Sequence, residues 1–309
     1  ETWIFVRKSA VDELASRQGK RQVLPSVWRL KLKDPIYNPD GEIIQPAKRK
    51  GRITVNGKKQ FIESYDKSST YAPVADAATI RLMLVIAALQ GFYIRMADVC
   101  NAFALCKLDE EIYMHPPAGM RRWMRETGQK MFYSPVEPDS TDYFDPKQPV
   151  NPNDSFLLRL KTSLYGLHQA ANLFYKMMKK ALEVEGFTET REPCLFVRYE
   201  DPESGGDGST SMATIYVDDI IHCIQDIEVS NKFVADLNAH NPHFELKDLG
   251  SITVLLGQKV VYNRKNRTIS FGQQLYAERL HTRFQLGTIG GKDTSRPFSL
   301  GKVPLNKAE

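Results

Sequence analysis

The sequence predicts an α+β fold, a small antiparallel sheet backed by helices, and three observations predict it. Short β-branched and aromatic runs alternate with four longer helical stretches. Gly, Asn and Pro turn signals separate them. Two of the apolar runs carry aspartates: Ile215-Tyr216-Val217-Asp218-Asp219-Ile220-Ile221 and Phe92-Tyr93-Ile94-Arg95-Met96-Ala97-Asp98-Val99. Ionised aspartates are rarely buried in strands unless something pairs with them.

In chain order, residues 1–60 read as short strands and turns, a basic β-rich lobe. Trp28 to Leu32 alternates at period two, Asn38-Pro39-Asp40-Gly41 is a turn, and Asn56-Gly57 carries a type I′ hairpin signal after Ile53-Thr54-Val55. Asp76 caps a helix from Ala77 to Gln90 that Gly91 stops. The Asp98 strand follows, then a short strand over 111–114 that ends at Pro116-Pro117. Five prolines over 134–154 mark a surface insertion. Gln169 to Glu185 is amphipathic, with Leu173, Phe174, Met177, Met178, Ala181 and Leu182 on one face and Gly186 as its stop. Strands over 194–197 and 213–217 flank a Gly/Ser-rich loop at 201–211. A helix runs from Glu228 to Ala239. Strand-like pieces then cover 252–256, 259–262 and 268–270, and a last helix covers 273–284.

Composition sets the class. The chain has 309 residues, 42% hydrophobic and 26% charged, so it is globular and long enough for two or three lobes. No apolar run reaches the ~18 residues that span a membrane, and no signal-peptide pattern opens the chain. It begins at Glu1, which reads as a fragment or processed piece of a longer protein. Cys100, Cys106, Cys194 and Cys223 lack zinc-like spacing and read as small buried hydrophobes. Residues 1–60 hold 14 Lys or Arg against 6 Asp or Glu, a net of +8, so the remainder carries −3 of the total +5. A basic lobe beside a carboxylate-bearing centre suits an enzyme that grips polyanions through charge and works on phosphates through metals.

The carboxylates carry that chemistry. If the two apolar runs are neighbouring strands, Asp98, Asp218 and Asp219 meet at one sheet edge. Such a group holds two Mg2+ ions about 3.5–4 Å apart for in-line phosphoryl transfer. Taken singly, Asp218-Asp219 also reads as a polar turn and Asp98 as a helix cap. The two sites lie 120 residues apart, so only the fold brings them together.

Several segments, in order, resemble the reverse transcriptase of copia-type retrotransposons. They are Thr70-Tyr71-Ala72-Pro73-Val74-Ala75 with Thr79-Ile80-Arg81, Ala97-Asp98-Val99-Cys100-Asn101-Ala102-Phe103, Leu108-Asp109-Glu110-Glu111-Ile112-Tyr113-Met114, Ser163-Leu164-Tyr165-Gly166-Leu167-His168-Gln169-Ala170, Tyr216-Val217-Asp218-Asp219, and Lys247-Asp248-Leu249-Gly250 with Leu256-Gly257. The likeness runs from about residue 48 to residue 280. It implies a right-hand polymerase: fingers over 1–90, palm over 91–104, fingers again over 105–162 with the insertion at 134–154, palm over 163–262, and the start of a thumb over 263–309. Asp98, Asp218 and Asp219 become the catalytic palm carboxylates. With the Val99 carbonyl they ligate two Mg2+, with Mn2+ as a substitute.

The resemblance also implies dNTP contacts at Lys50 and Arg52, at Gln169, and at Phe103, whose ring would exclude a 2′-hydroxyl. Phe103 as plain core and the basic strand as a solvated face stay open. Tyr216 and Val217 fall beside the primer end, and Leu256 and Gly257 in a primer-grip hairpin. The implied partners are an RNA template, a DNA primer, their RNA–DNA hybrid, dNTPs and a downstream ribonuclease H region, with no membrane. The implied setting is intracellular, in a cytoplasmic virus-like particle. The chain departs from the family pattern at Ala97, Cys100, His168 and Ala171-Asn172-Leu173-Phe174, losing a Lys and an Arg from the nucleotide-facing motif. Two rivals remain: an inactive retroelement relic that still binds nucleic acid, and a nucleotidyl cyclase, for which no Gly-Gly-Asp/Glu hairpin stands at Asp218.

Overall fold

Strands buried on both faces carry near-continuous apolar runs, and here they gather into a six-stranded sheet. The computed structural model describes residues 2–33, 35–37, 43–61, 65, 70–108, 110–134, 149–200, 208–241, 245–274, 276, 277, 280 and 281. The central sheet is fully antiparallel. Its order is β10 (Thr188–Glu189), β11 (Leu195–Tyr199), β12 (Thr210–Tyr216), β13 (Asp219–Ile224), β7 (Tyr93–Val99) and β14 (Leu246–Ser251). Three helices cover it: α2 (Ala77–Gln90), α4 (Ala170–Val184) and α5 (Ile227–His240). Met83 and Leu84, Phe174 and Met178, and Phe233 and Leu237 share one core with Ile94, Phe196, Ile220 and Ile221.

The helix limits follow their capping residues. Asp76 accepts a hydrogen bond from the Ala78 N–H at 2.7 Å, and Gly91 ends α2 in the left-handed region at φ 71°. Asp226 caps α5 through the Val229 N–H at 2.9 Å. The described cysteines are all free. Cys106, Cys194 and Cys223 are buried as small hydrophobes, and Cys100 is half-buried.

A second sheet has the order β1 (Trp3–Arg7), β9 (Phe156–Leu160), β8 (Ile112–Met114), β2 (Gln22–Leu24), with β2 parallel to β8. Seven of the 14 Lys and Arg of residues 1–60 lie on a two-stranded ribbon, β3 (Ser26–Lys33) with β6 (Lys48–Val55). A short pair, β4 (Ile36–Tyr37) and β5 (Ile43–Gln45), follows β3. A small sheet of β15 (Val254–Leu255), β16 (Gln258–Asn263) and β17 (Thr268–Gly272) completes the described strands.

Three expectations are corrected. The N-terminal lobe is not β-rich throughout, because Lys8–Gln18 forms helix α1. This helix has no Gly or Pro and carries Lys8–Asp12 and Glu13–Arg17 ion pairs at i,i+4. It buries only Val11 and Leu14, so its apolar period is faint in the sequence. A further short helix, α3 (Met120–Thr127), follows β8. Asn56-Gly57 makes no hairpin: Gly57–Lys59 is a 3-10 turn. The turn at 38–41, the insertion over 135–148, the loop over 201–207 and half of the closing helix lie outside the described residues.

Gly57 serves close approach. A Cβ there would stand 1.9 Å from the Gly166 carbonyl oxygen, and one on Gly166 would stand 2.1 Å from the Val55 oxygen. The Val55 N–H donates to the Tyr165 oxygen at 2.9 Å across the same crossing. Side-chain volume therefore cannot enter where β6 meets the turn before α4. Gly57→Ala should lower stability by about 3 kcal/mol or more. Gly128→Ala, at φ 63° with open space around it, should lose only about 1–2 kcal/mol. Urea midpoints at unchanged m-value would check both.

Candidate active site

The site is built on strand pairing. Between β13 and β7, Asp219 stands directly opposite Asp98. Opposed residues of an antiparallel pair project from the same face, with Cβ atoms about 4.5–5.5 Å apart. Asp218 occupies the two-residue turn that joins β12 to β13, beside the Tyr216–Asp219 pair. The Val99 N–H donates to the Asp218 carbonyl at 3.0 Å, which ties the end of β7 to that turn. The first turn residue, Val217, is half-exposed at φ 55°. A β-branched side chain avoids that region, so the turn stores roughly 1–3 kcal/mol of strain to carry Asp218 at its tip.

Burial and mutual repulsion shape the charges. The Asp218 carboxyl is pushed above its ordinary range, first by burial and then by Asp98, while Arg52 and Lys50 pull it back. Asp219 is raised by burial, then by Asp98 and Asp218. Lys50 is lowered by burial and by its neighbours Arg52 and Lys33, and is raised in turn by Asp98 and Asp218. The carboxylates and the β6 cations therefore share one field. Tyr165 lies in it too: burial and Asp218 raise its phenol, and the Arg52 guanidinium sits 5.0 Å from its ring centroid.

The donor chemistry suits a hard divalent cation, which takes oxygen ligands. Asp218 Oδ1 is buried and has no hydrogen-bond partner. An orphaned carboxylate oxygen in the field of two more carboxylates is a cation-binding feature. Among the described residues, no group of three or more His, Cys, Asp or Glu side chains is drawn together around a single metal position. The carboxylates are neighbours by register and by field, and closing around an ion requires side-chain rotation.

The other predicted residues fall in three places. Phe103 is half-buried at the seam between the two cores, edge-on to Tyr165 at 4.8 Å and to Phe174 at 5.9 Å. Gln169 precedes α4 but is fully buried, and its Oε1 accepts from Gln60 Nε2 at 2.9 Å. The Leu256–Gly257 turn belongs to the β15–β16 hairpin. The bonds from Tyr262 to the Phe92 oxygen and from Arg264 to the Gly91 oxygen hold that small sheet at the far end of β7 from Asp98.

Sequence reasoning missed Tyr165, Gln60 and Lys247. Lys247 stands opposite Asp98 on β14, on the side away from Asp219. Its motif was read, but the motif does not announce a strand. Two of the departures from the family pattern, His168 and Asn172, are absorbed in packing. His168 Nε2 donates to the Gly57 oxygen at 2.9 Å and its ring stacks on Tyr65, while the Asn172 amide bonds the Tyr71 oxygen.

The raised carboxyls carry a sign. The folded state holds protons on Asp218 and Asp219 to a higher pH than the unfolded chain does, so each ionised carboxylate destabilises the fold. Without divalent cation, Asp219→Asn should raise Tm at pH 7. That gain should vanish as pH falls below the unfolded-state value of about 3.9. Asp98→Asn should lower the titration midpoints of both remaining carboxyls, read by carboxyl-carbon NMR.

Comparison with known proteins identifies the family of the chain. The family described as reverse transcriptase (RNA-dependent DNA polymerase) matches residues 13–131 and 144–296. The chain is 28% identical over 304 residues to the retrovirus-related Pol polyprotein from transposon TNT 1-94 of Nicotiana tabacum, covering 98% of this chain and 19% of that one. It is 27% identical over 222 residues to the Pol polyprotein from transposon RE2 of Arabidopsis thaliana, covering 72% and 12%. A telomerase from Candida albicans, in complex with a telomeric RNA fragment, aligns over 92% of this chain and 55% of its own. Its TM-score of 0.35 and 10% identity are too low to argue from. The chain spans about a fifth or less of the length of these polyprotein relatives. It belongs to the reverse transcriptase (RNA-dependent DNA polymerase) family, as a copia-type retrotransposon reverse transcriptase domain.

Proposed function

We propose that this domain copies a primed RNA or DNA template by joining dNTPs to a primer 3′-hydroxyl. The observation that carries this reading is the opposition of Asp98 and Asp219 across β7 and β13, with Asp218 at the adjoining turn and Lys50 and Arg52 in the same field. On this reading the central sheet is the palm, and the ribbon with the N-terminal sheet is the fingers. The thumb expected over 263–309 falls mostly outside the described residues.

Asp98, Asp218, Asp219 and the Val99 carbonyl would hold two Mg2+, or Mn2+ in their place. Such ions would supply activation of the attacking hydroxyl and charge neutralisation at the leaving pyrophosphate. The chain's own residues do the rest. Arg52 offers a planar fork to phosphate oxygens and Lys50 a point charge. Phe103 closes the floor beneath the sugar, braced by Tyr165 and Phe174. Tyr216 and Val217 flank the primer end on the strained turn. Leu256 and Gly257 grip the primer farther along the duplex. Gln169 meets the nucleotide only once the residues over its buried amide part.

In a polyprotein the partners would include the hybrid product and a downstream ribonuclease H region, in an intracellular particle. No helix of the described residues is long and apolar enough to cross a membrane.

Primer extension on an RNA template with Mg2+ tests the reading. Wild type should extend, and the Asp218→Asn/Asp219→Asn double variant should lose at least about a thousandfold in rate. A folded wild type that binds the hybrid without extending it would instead mark an inactive relic. Phe103→Val should raise rNTP incorporation relative to dNTP; an unchanged ratio would return Phe103 to the core. Hybrid affinity should fall steeply with salt, since phosphate contacts release counterions.

A further inference from the structure

We propose that Gln60 is a positioning residue: it fixes the base of the β3–β6 ribbon, so that Lys50 and Arg52 stay opposed to Asp98 and Asp218. The inference rests on the reading of those two cations as triphosphate contacts. The ribbon is exposed from Arg29 to Lys33 on one strand and at Lys48 and Arg49 on the other. Its direction is therefore set where it joins the body. There the Val55 N–H meets the Tyr165 oxygen, the Asn56 N–H meets the Pro25 oxygen, and Trp28 Nε1 donates to the Ala118 oxygen, each at 2.9 Å. The loop that leaves β6 is then locked by Gln60. Its backbone N–H closes the turn on the Gly57 oxygen at 2.9 Å, and its side chain, 6% exposed, spans to the start of α4.

The polarity of that side chain is dictated. The His168 backbone N–H can only donate, and it meets Gln60 Oε1 at 3.2 Å. Gln60 Nε2 must then face Gln169, and because Nε2 also only donates, Gln169 must present Oε1, at 2.9 Å. One backbone donor thus sets the direction of two buried amides. Gln169 Nε2 has no partner, so among the described residues the bond to Gln60 is what holds its amide.

Leverage makes the lock matter. Lys50 lies five residues up the strand from Val55, a reach of roughly 16 Å at about 3.3 Å per residue. A tilt of about 10° at the base would move it by roughly 3 Å, more than a phosphate hydrogen bond tolerates.

The test uses the whole chain bound to primed template. It reads dNTP affinity with a chain-terminated primer, and KM and kcat with an extendable one. Gln60→Met keeps the shape and removes both bonds. It should weaken dNTP affinity and raise KM roughly tenfold, with kcat within about twofold. Adding Gln60→Met to the Lys50→Ala/Arg52→Ala double variant should make it no worse, because Gln60 acts through those two cations. If Gln60→Met fails to fold, Gln60→Glu keeps the acceptor for His168 and should give a smaller rise in KM. Unchanged dNTP affinity in a folded Gln60 variant, while Arg52→Ala weakens it, would overturn the proposal alone. So would an independent, multiplying effect of Gln60→Met on top of the Lys50→Ala/Arg52→Ala pair. Unchanged affinity in Arg52→Ala would overturn the triphosphate reading itself.

Discussion

Three carboxylates held inside one another's field are the constraint around which the rest of the chain is arranged. Repulsion and burial both oppose them, as the raised carboxyls of Asp218 and Asp219 register. What holds them is the apolar packing beneath. β7 is paired on both edges, by β13 and β14, and its buried residues are covered by α2, α4 and α5. The register that places Asp98 opposite Asp219 is thereby fixed, because a one-residue slip would exchange the two faces of a strand buried on both. Stability invested in the core is spent in part at the sheet's edge, where the strained Val217 turn carries the third carboxylate. The arrangement makes sense if cations or phosphates complete it.

The second constraint is the crossing of β6 over the turn before α4. Gly57 and Gly166 let two backbones meet at a distance that admits no side chain. That contact sets how the basic ribbon faces the carboxylates, and the Tyr165 ring under Arg52 lies at the same junction. Charge of opposite sign on the two sides of a cleft is what a triphosphate needs. On the proposed reading its own charge would be met by the ribbon, and the cations it brings by the aspartates.

Much of this was legible in the sequence, for identifiable reasons. Asp76 and Gly91 bracket α2 because a cap and a left-handed stop are local chemistry, and both limits match. The apolar runs at 92–99 and 215–221 read as strands because both faces are buried. Their adjacency was not legible from either run, since Asp98 and Asp218 are joined only through the fold; the family resemblance supplied it. Helix α1 escaped because two buried residues make too weak a period. Asn56-Gly57 misled because the dipeptide that favours a hairpin also suits a 3-10 turn, and the tertiary contact with Gly166 decides between them. Gln60 carried no local signal, and Tyr165 only its place in the motif over 163–170: their partners lie more than a hundred residues away in the chain.

The central claim is that Asp98, Asp218 and Asp219 jointly hold divalent cations between primer and nucleotide. The most direct measurement is a crystal structure with Mn2+, a terminated primer–template and dNTP, read by anomalous scattering. The account predicts two manganese peaks about 3.5–4 Å apart, with Asp98, Asp218 and Asp219 as ligands, and their loss in the Asp218→Asn variant. Bound nucleotide with no manganese at these carboxylates would contradict it.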